Sequence, residues 1–584
     1  MSKGKILLLI GFLLIFVGGL LAYIVQTDFG NVKIRDLRFN GPNGSVMSAL
    51  LYIPKNATSK TPAPAILVVH GYINSRETQD GFAIEYARRG YVVLAIDQTG
   101  HGFSDPPAFA NGFGGPAALM YLRSLDIVDK NNIGMEGHSM GGWTILAAAA
   151  VFPDFYKSIV LEGSSTGAPF AKEGDTLWPK NCAVVFSTMD EFSMLMWGVK
   201  KGVDAPDSPK LQALFGTSER IVEGKIYQDI SAGNARVLYQ PKTTHPQDHI
   251  SKKAIGYSID WFAKTLQGGK NIPSSNQTWI FKELGTLLAL IGCIIFILGF
   301  SLFLLSLPAF QNKQQESAES KVKFNFVYII SALVSMTVAV LTYFWTFKIG
   351  AKIFKASWLF PQTITSQIMT WALFNGIVNL IIFLLIHFIF NKKSGMNCYS
   401  YGFTNSEGKI HFLTIINDFL FAFFSIASGY LMLLLADYFF KIDFRFWIIA
   451  LKPMSITHFG IFLRYLIPFF IFFFISSFTL NGAMRLPTKK HWVPYIVNMV
   501  IMAGAFLIFL LAEYIPLFTK GNLLTATEPL NTIVAIQFLP LLIIASIFST
   551  WFFNRTKRVY AGAFANALFI TWYIVASQAT QFPI

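Results

Sequence analysis

The sequence predicts two architectures in one chain: an α/β unit with a mostly parallel sheet, and an all-α polytopic membrane domain. Three observations predict this. First, 53% of the 584 residues are hydrophobic and only 14% are charged, against about 25% charged in soluble proteins, and mean hydropathy is +0.49. Second, the charge is uneven: residues 31–270 hold 24 Lys/Arg and 22 Asp/Glu, whereas the remainder holds 23 and 10. Third, within 31–270 short Val/Ile/Leu runs alternate with helical patterns, the mark of a parallel sheet covered on both faces. The expected division is 1–30 as an N-terminal transmembrane anchor, 31–270 as the α/β domain, and 280–584 as a membrane domain of about eight helices.

The apolar segments come first in the chain. KILLLIGFLLIFVGGLLAYIV (5–25) is nearer the ~20 residues that cross a bilayer than the shorter core of a signal peptide, and no small-residue cleavage site follows it, so a retained anchor is expected. Further runs of spanning length lie at 284–307, 324–347, 366–390, 412–440, 460–479, 494–515, 532–553 and 559–579. With the N-terminus inside, the cytoplasmic loops carry 14 Lys/Arg, among them Lys313, Lys321 and Lys323, and the opposite loops carry 8. That bias puts the α/β domain outside the cell membrane. Asp418 and Arg464 are the ionisable residues deepest in their spans, and would mark a solute path if one existed. The 441–453 stretch reads as a possible amphipathic interfacial helix. The excess of basic residues on the apolar part fits anionic lipid head groups rather than nucleic acid. Cys182, Cys293 and Cys398 lie too far apart in the pattern to form a disulfide framework or a Cys-based metal site.

In the α/β unit, Val32–Phe39 and Val46–Ile53 flank the turn Gly41-Pro42-Asn43-Gly44, a hairpin signal. Ala65–Val69, Tyr91–Ile96, Ile133–Glu136, Ser158–Leu161, Ala183–Phe186 and Arg236–Tyr239 read as buried strands. Helical patterns follow at Gly81–Arg89, 115–128, 140–150 and Ser251–Leu266. Active sites of such sheets lie beyond the carboxyl ends of the strands, which is where the chemistry-bearing residues fall.

Gly137-His138-Ser139-Met140-Gly141 fits G-x-S-x-G between a predicted strand and a predicted helix, the context that gives this short motif meaning. The glycines permit a sharp turn that projects the serine, making Ser139 the candidate nucleophile and the Met140 amide an oxyanion donor. Together with His70-Gly71-Tyr72 and Asp97-Gln98-Thr99-Gly100-His101-Gly102-Phe103-Ser104 at two other strand ends, the motif GHSMGG resembles the α/β-hydrolase superfamily. Within it the pattern is similar to esterase, lipase and serine-aminopeptidase-like members, over about residues 31–267.

The resemblance implies an α/β-hydrolase fold, a second oxyanion donor at the Tyr72 amide, and a triad in the order Ser, acid, His. The acid would be Asp190, with Glu191 the near alternative and Glu162 a distant one. The base would be His245 rather than His249, which stands closer to the terminal helix and could instead help to begin it. His70 and His101 would be structural. The His245/Asp248/His249 cluster has no matching second ligand set, so neither metal nor cofactor is expected. Residues 193–198 and 206–232 read equally as a lid over an apolar pocket or as packing against the sheet or the membrane part. The implied activity is cleavage of an ester or amide through an acyl-enzyme on the outer face, with a lipid or cell-envelope substrate favoured. The alternatives are a transporter or an acyltransferase whose hydrolase-like domain processes or gates a membrane substrate. Oligomeric state is not legible.

Overall fold

The computed structural model describes residues 3–311 and 320–583; Lys313, counted above among the loop cations, lies outside them. Helix α1 (Lys3–Gln26) leads into an eight-stranded sheet of order β1-β2-β4-β3-β5-β6-β7-β8. The strands are β1 (Val32–Asn40), β2 (Val46–Pro54), β3 (Ala63–Val69), β4 (Val92–Asp97), β5 (Val128–His138), β6 (Ser158–Glu162), β7 (Cys182–Val185) and β8 (Arg236–Tyr239). The hairpin β1–β2 runs from Val32↔Pro54 to Asn40↔Val46, and β2 joins β4 antiparallel; every later pairing is parallel.

Because strand residues alternate between faces, the sheet makes two cores. Leu67, Val69, Leu94 and Ile96 face α3 (Gly115–Ser124) and α4 (Met140–Val151), which follow α2 (Asp80–Arg88) in the chain. The short helices α5 (Ser193–Trp197) and α6 (Pro209–Phe215) also pack on that side. On the other, Ile66, Val68, Val93 and Ala95 meet α2 and α7 (Lys252–Thr265), where Phe82, Trp261 and Phe262 are fully buried.

The rest of the chain is α8 (Trp279–Leu304), α9 (Pro308–Gln311), α10 (Phe326–Leu341), α11 (Tyr343–Ile353), α12 (Thr363–Ile386), α13 (Phe412–Phe440), the strands β9 (Phe444–Phe446) and β10 (Ile449–Leu451), α14 (Ile456–Phe478), α15 (Val493–Lys520), α16 (Pro529–Thr556) and α17 (Val559–Ser577). Among the described residues eight helices are long and apolar enough to cross a membrane, nine if the bent pair α10–α11 is one span.

That pair is a departure from the single run expected at 324–347. The axis turns by 51° at Thr342. The Thr342 hydroxyl donates to the Val338 carbonyl at 2.7 Å, and the Trp371 indole donates to the Ala339 carbonyl at 2.8 Å. Side chains that engage the backbone ladder in this way are an established source of kinks.

The amphipathic helix expected at 441–453 is not formed either. The segment is a two-stranded hairpin, with Arg445↔Ala450 paired and Trp447 in the turn at φ +58. Its polar residues are used against the α/β domain rather than a lipid surface: Arg445 is buried, donating to Asp443 Oδ1 at 2.7 Å and to Thr78 Oγ1 at 2.9 Å.

Helices α1 and α8 lie against each other along a seam of glycines. Gly11 and Gly18 on one face Gly292 and Gly285 on the other, and Gly4 and Gly299 continue the seam against Leu302 and Leu8, the glycines of each helix standing seven residues apart. A Cβ at Gly11 would come within 2.6 Å of the Phe296 amide nitrogen, and one at Gly285 within 2.6 Å of the Gly18 carbonyl oxygen. Backbones this close gain dispersion contact along the whole seam.

Candidate active site

The carboxyl ends of β3, β5, β7 and β8 converge, and their loops build one cavity. Ser139 occupies the turn between β5 and α4 at φ 54, ψ −120, a conformation costly for a residue with a side chain. Its surroundings hold it there. The Ser139 amide donates to the Glu162 carbonyl at 2.8 Å, and Ser164 Oγ donates to the Ser139 carbonyl at 2.7 Å. A Cβ at Gly141 would overlap the Val69 carbonyl oxygen, and one at Gly137 the Gly141 carbonyl, so α4 approaches β3 and β5 this closely only with glycine at these two positions.

His245 begins the turn that follows β8. Its Nδ1 lies 2.9 Å from Asp190 Oδ2, while Asp190 Oδ1 accepts the Phe192 amide at 2.7 Å. Two backbone bonds, Thr188 to Pro241 at 3.0 Å and Met189 to Thr243 at 3.2 Å, tie the loop after β7 to the loop after β8. The other expected acid is placed differently: Glu191 accepts the His245 backbone amide at 2.8 Å and the Tyr514 hydroxyl at 3.1 Å. His249 contacts Gln79 Oε1 at 2.5 Å through Nδ1, not a carboxylate, and α7 is capped by Ser251 instead. Ser139 and His245 line the same cavity, with no direct hydrogen bond between them; such bonds commonly tighten only once substrate arrives.

The amides of Tyr72 and Met140 find no acceptor among the described residues. The Tyr72 hydroxyl accepts from Gln581 Nε2 at 2.8 Å, so the C-terminal segment steadies this loop. His70 Nε2 accepts the Gln98 amide at 3.1 Å and His101 Nε2 the Ile73 amide at 3.4 Å, joining the loops after β3 and β4. Neither ring lines the cavity.

Burial sets the electrostatics. It pulls the His245 imidazole down, but the Asp190 carboxylate, with Glu191 and Asp248 beyond, carries it above its ordinary value. Glu191 is pushed up to about 7 by burial and the Asp190 charge. His249 falls to about 3 through burial and the nearby His245 and Arg445. Behind the site, burial holds Glu136, Glu162 and Asp248 well above the carboxylate range. Among the described residues no group of three His, Cys, Asp or Glu is placed to hold a metal ion.

The cavity measures about 250 Å³. One end is aromatic, with Phe170 lying 5.9 Å from Phe109 and 5.1 Å from Trp143 between ring centroids. Of the segment read as lid or packing, Leu195 and Met196 reach the cavity, as does Phe192 just before it, whereas Leu211, Leu214 and Phe215 pack in the core. The remaining wall had no sequence signal: Ile448 from the β9–β10 turn and Leu530, Ile533 and Gln537 from α16.

A model of the alpha/beta hydrolase fold matches residues 64–287. The sheet and its covering helices form an α/β-hydrolase domain. The domain is similar to an uncharacterized Mycobacterium tuberculosis protein, 33% identical over 106 residues, covering 17% of this chain and 28% of that one. It is also similar to 2-(acetamidomethylene)succinate hydrolase of Mesorhizobium japonicum, 31% identical over 18% of this chain and 38% of that one. The chain thus spans well under half the length of these relatives. Among solved structures, an esterase of Pyrococcus furiosus is 16% identical, covering 41% of this chain and 94% of its own at a TM-score of 0.31.

The α/β-hydrolase domain meets the helical region through buried charge. Lys282 pairs with Asp80 at 2.5 Å, and Glu283 accepts the Trp447 amide at 3.1 Å. Arg445 lies 3.9 Å from Glu77, on the loop that follows Tyr72. Removing one partner of such a pair leaves an uncompensated buried charge. The helical region is therefore a wall and a brace of the cavity.

Proposed function

We propose that the protein is a membrane-embedded serine hydrolase that cleaves an ester or amide by acyl transfer. His245 Nε2 takes the Ser139 proton as Oγ attacks the carbonyl carbon. Asp190, at Nδ1, fixes the tautomer and stabilises the imidazolium. The Tyr72 and Met140 amides receive the oxyanion. His245 then returns the proton to the leaving group, and water, activated by the same imidazole, releases the acyl group from Ser139. The single observation that carries this reading is the His245–Asp190 contact at 2.9 Å beside a serine held at φ 54.

The long apolar helices support a membrane setting. The excess of Lys/Arg at the helix ends away from the hydrolase domain favours its placement outside the cytoplasm. A transport reading has less support, since Asp418 is engaged by Arg558 at 2.6 and 2.7 Å and the Arg464 guanidinium lies over the Trp358 ring. Purified Ser139→Ala should keep its fold and helix content yet lose ester hydrolysis by on the order of 10⁴-fold or more. Full turnover by that variant would remove the proposal.

A further inference from the structure

The catalytic cavity does not close where the α/β-hydrolase domain ends. A second cavity of about 40 Å³ lies inside the helix bundle, between α12, α14, α16 and α17, and Gln537 lines both. Helix α16 walls them with a single face: Leu530, Ile533 and Gln537 on the first, Val534, Gln537 and Leu541 on the second. That i, i+3/i+4, i+7 spacing defines one stripe of a helix. From Leu530 to Leu542, the last α16 residue on the wall, the stripe is ~18 Å long at 1.5 Å per residue. One leaflet of hydrocarbon, the span of a bilayer lipid's acyl chain, is ~15 Å.

The two ends of the catalytic cavity differ in chemistry. Phe109 and Phe170 at the aromatic end are 38% and 48% exposed, so that end opens to the surface of the hydrolase domain. Beyond Gln537, the residue that the two cavities share, the second is lined by Trp371, Phe472, Phe538 and Leu541. There Gln537 Oε1 is already occupied, accepting the Tyr573 hydroxyl at 2.7 Å. A polar alcohol or amine leaving group would lose its hydration in the bundle and is suited only to the open end. A hydrocarbon chain suits the closed one.

We propose that the bundle seam is the acyl-chain site of the enzyme: the substrate is a long-chain acyl ester whose carbonyl sits at Ser139 while its chain runs past Gln537 between α12, α14, α16 and α17. This inference rests on the serine-hydrolase reading above.

The test uses the full wild-type chain in detergent and two alkyl fluorophosphonates, butyl and hexadecyl, each carrying a diazirine at the chain end. Ser139 Oγ bonds to phosphorus, fluoride leaves, and the Ser139 proton passes to His245. Irradiation then fixes the chain end, which peptide mass mapping locates. The hexadecyl probe is expected to crosslink α12, α14, α17 or the α16 residues Phe538, Leu541 and Leu542, and the butyl probe to crosslink Tyr72, Phe192, Met196 or Ile533. Hexadecyl crosslinks confined to Phe109, Trp143 and Phe170 would overturn the seam while leaving the hydrolase reading standing. No adduct on Ser139 with either probe would overturn both. A second measurement is independent of crosslinking. Ala372→Phe, which fills the seam, should lower the ratio of kcat/KM for hexadecanoyl over butanoyl ester at least tenfold, and an unchanged ratio in folded variant argues against the seam.

Discussion

Glu191 touches His245 through the backbone amide, not the ring, yet its charge is felt at the ring. It helps to hold the imidazole above its ordinary value, and a raised base must lose its proton before it can act. The lower-pH limb of kcat/KM therefore reports His245. Glu191, itself pushed up to about 7, carries only part of a negative charge near neutral pH. Glu191→Gln removes that part, so His245 falls and that limb should move to lower pH, by roughly half a unit or less; a move to higher pH would contradict the assignment. Asp190→Asn leaves the ring without its anion and should cost about 10⁴ in kcat, measured on a short soluble ester. Glu162 makes a separate prediction. Neither carboxyl oxygen has a hydrogen-bond partner among the described residues, and burial first, then Asp248 and Glu136, raise it well above 4.5. It stays protonated in the fold at pH values where the unfolded chain ionises. Its contribution to stability is complete below the unfolded pKa and is lost as pH rises through the folded one, at up to ~1.4 kcal/mol per pH unit. Glu162→Gln should flatten the fall of Tm with rising pH, and an equally steep fall would refute the burial argument.

At the scale of elements, the strands were legible because their residues are unambiguous. Ala65–Val69 and Ser158–Leu161 are continuous apolar runs bounded by turn signals, and the structure extends them by only two and one residues. Helix 115–128 was read too long because Ile127 and Val128 suit either state; the chain leaves the helix at Leu125, and the Ala63 amide bonds to the Ile127 carbonyl at 2.9 Å. The hairpin at 444–451 was illegible for a different reason. Apart from Asp443, Arg445 and Trp447 find their partners on Ser75–Thr78, Pro246 and Glu283, far away in the chain, and periodicity carries no trace of such contacts. The glycine seam between α1 and α8 shows the same gap, since heptad glycines in two apolar runs do not say which helices meet. It is now testable: Gly18→Leu should destabilise the protein by about 1–3 kcal/mol, read as a lowered Tm in detergent, and no change would mean the helices do not pack this closely.

For the whole molecule, the motif residues around Ser139 could be read because local geometry demands glycine beside a projected serine. The roof could not. Ile448, Leu530 and Ile533 are ordinary apolar residues in apolar segments, and only the tertiary fold gives them a role. By supplying these residues the helical region becomes part of the cavity rather than an anchor alone. Arg445→Ala, which leaves Asp443 buried without its cation, should cost about 3–5 kcal/mol and loosen the wall, lowering kcat/KM for long esters in a folded preparation. If activity and Tm both held, the helical region would be a mere anchor. The central claim, that Ser139 is a nucleophile served by His245 and Asp190, is met most directly by treating the intact protein with a fluorophosphonate and locating the adduct by peptide mass. The account predicts one adduct on Ser139, absent in Ser139→Ala and slowed in His245→Ala; no adduct, or one that persists in Ser139→Ala, would contradict it.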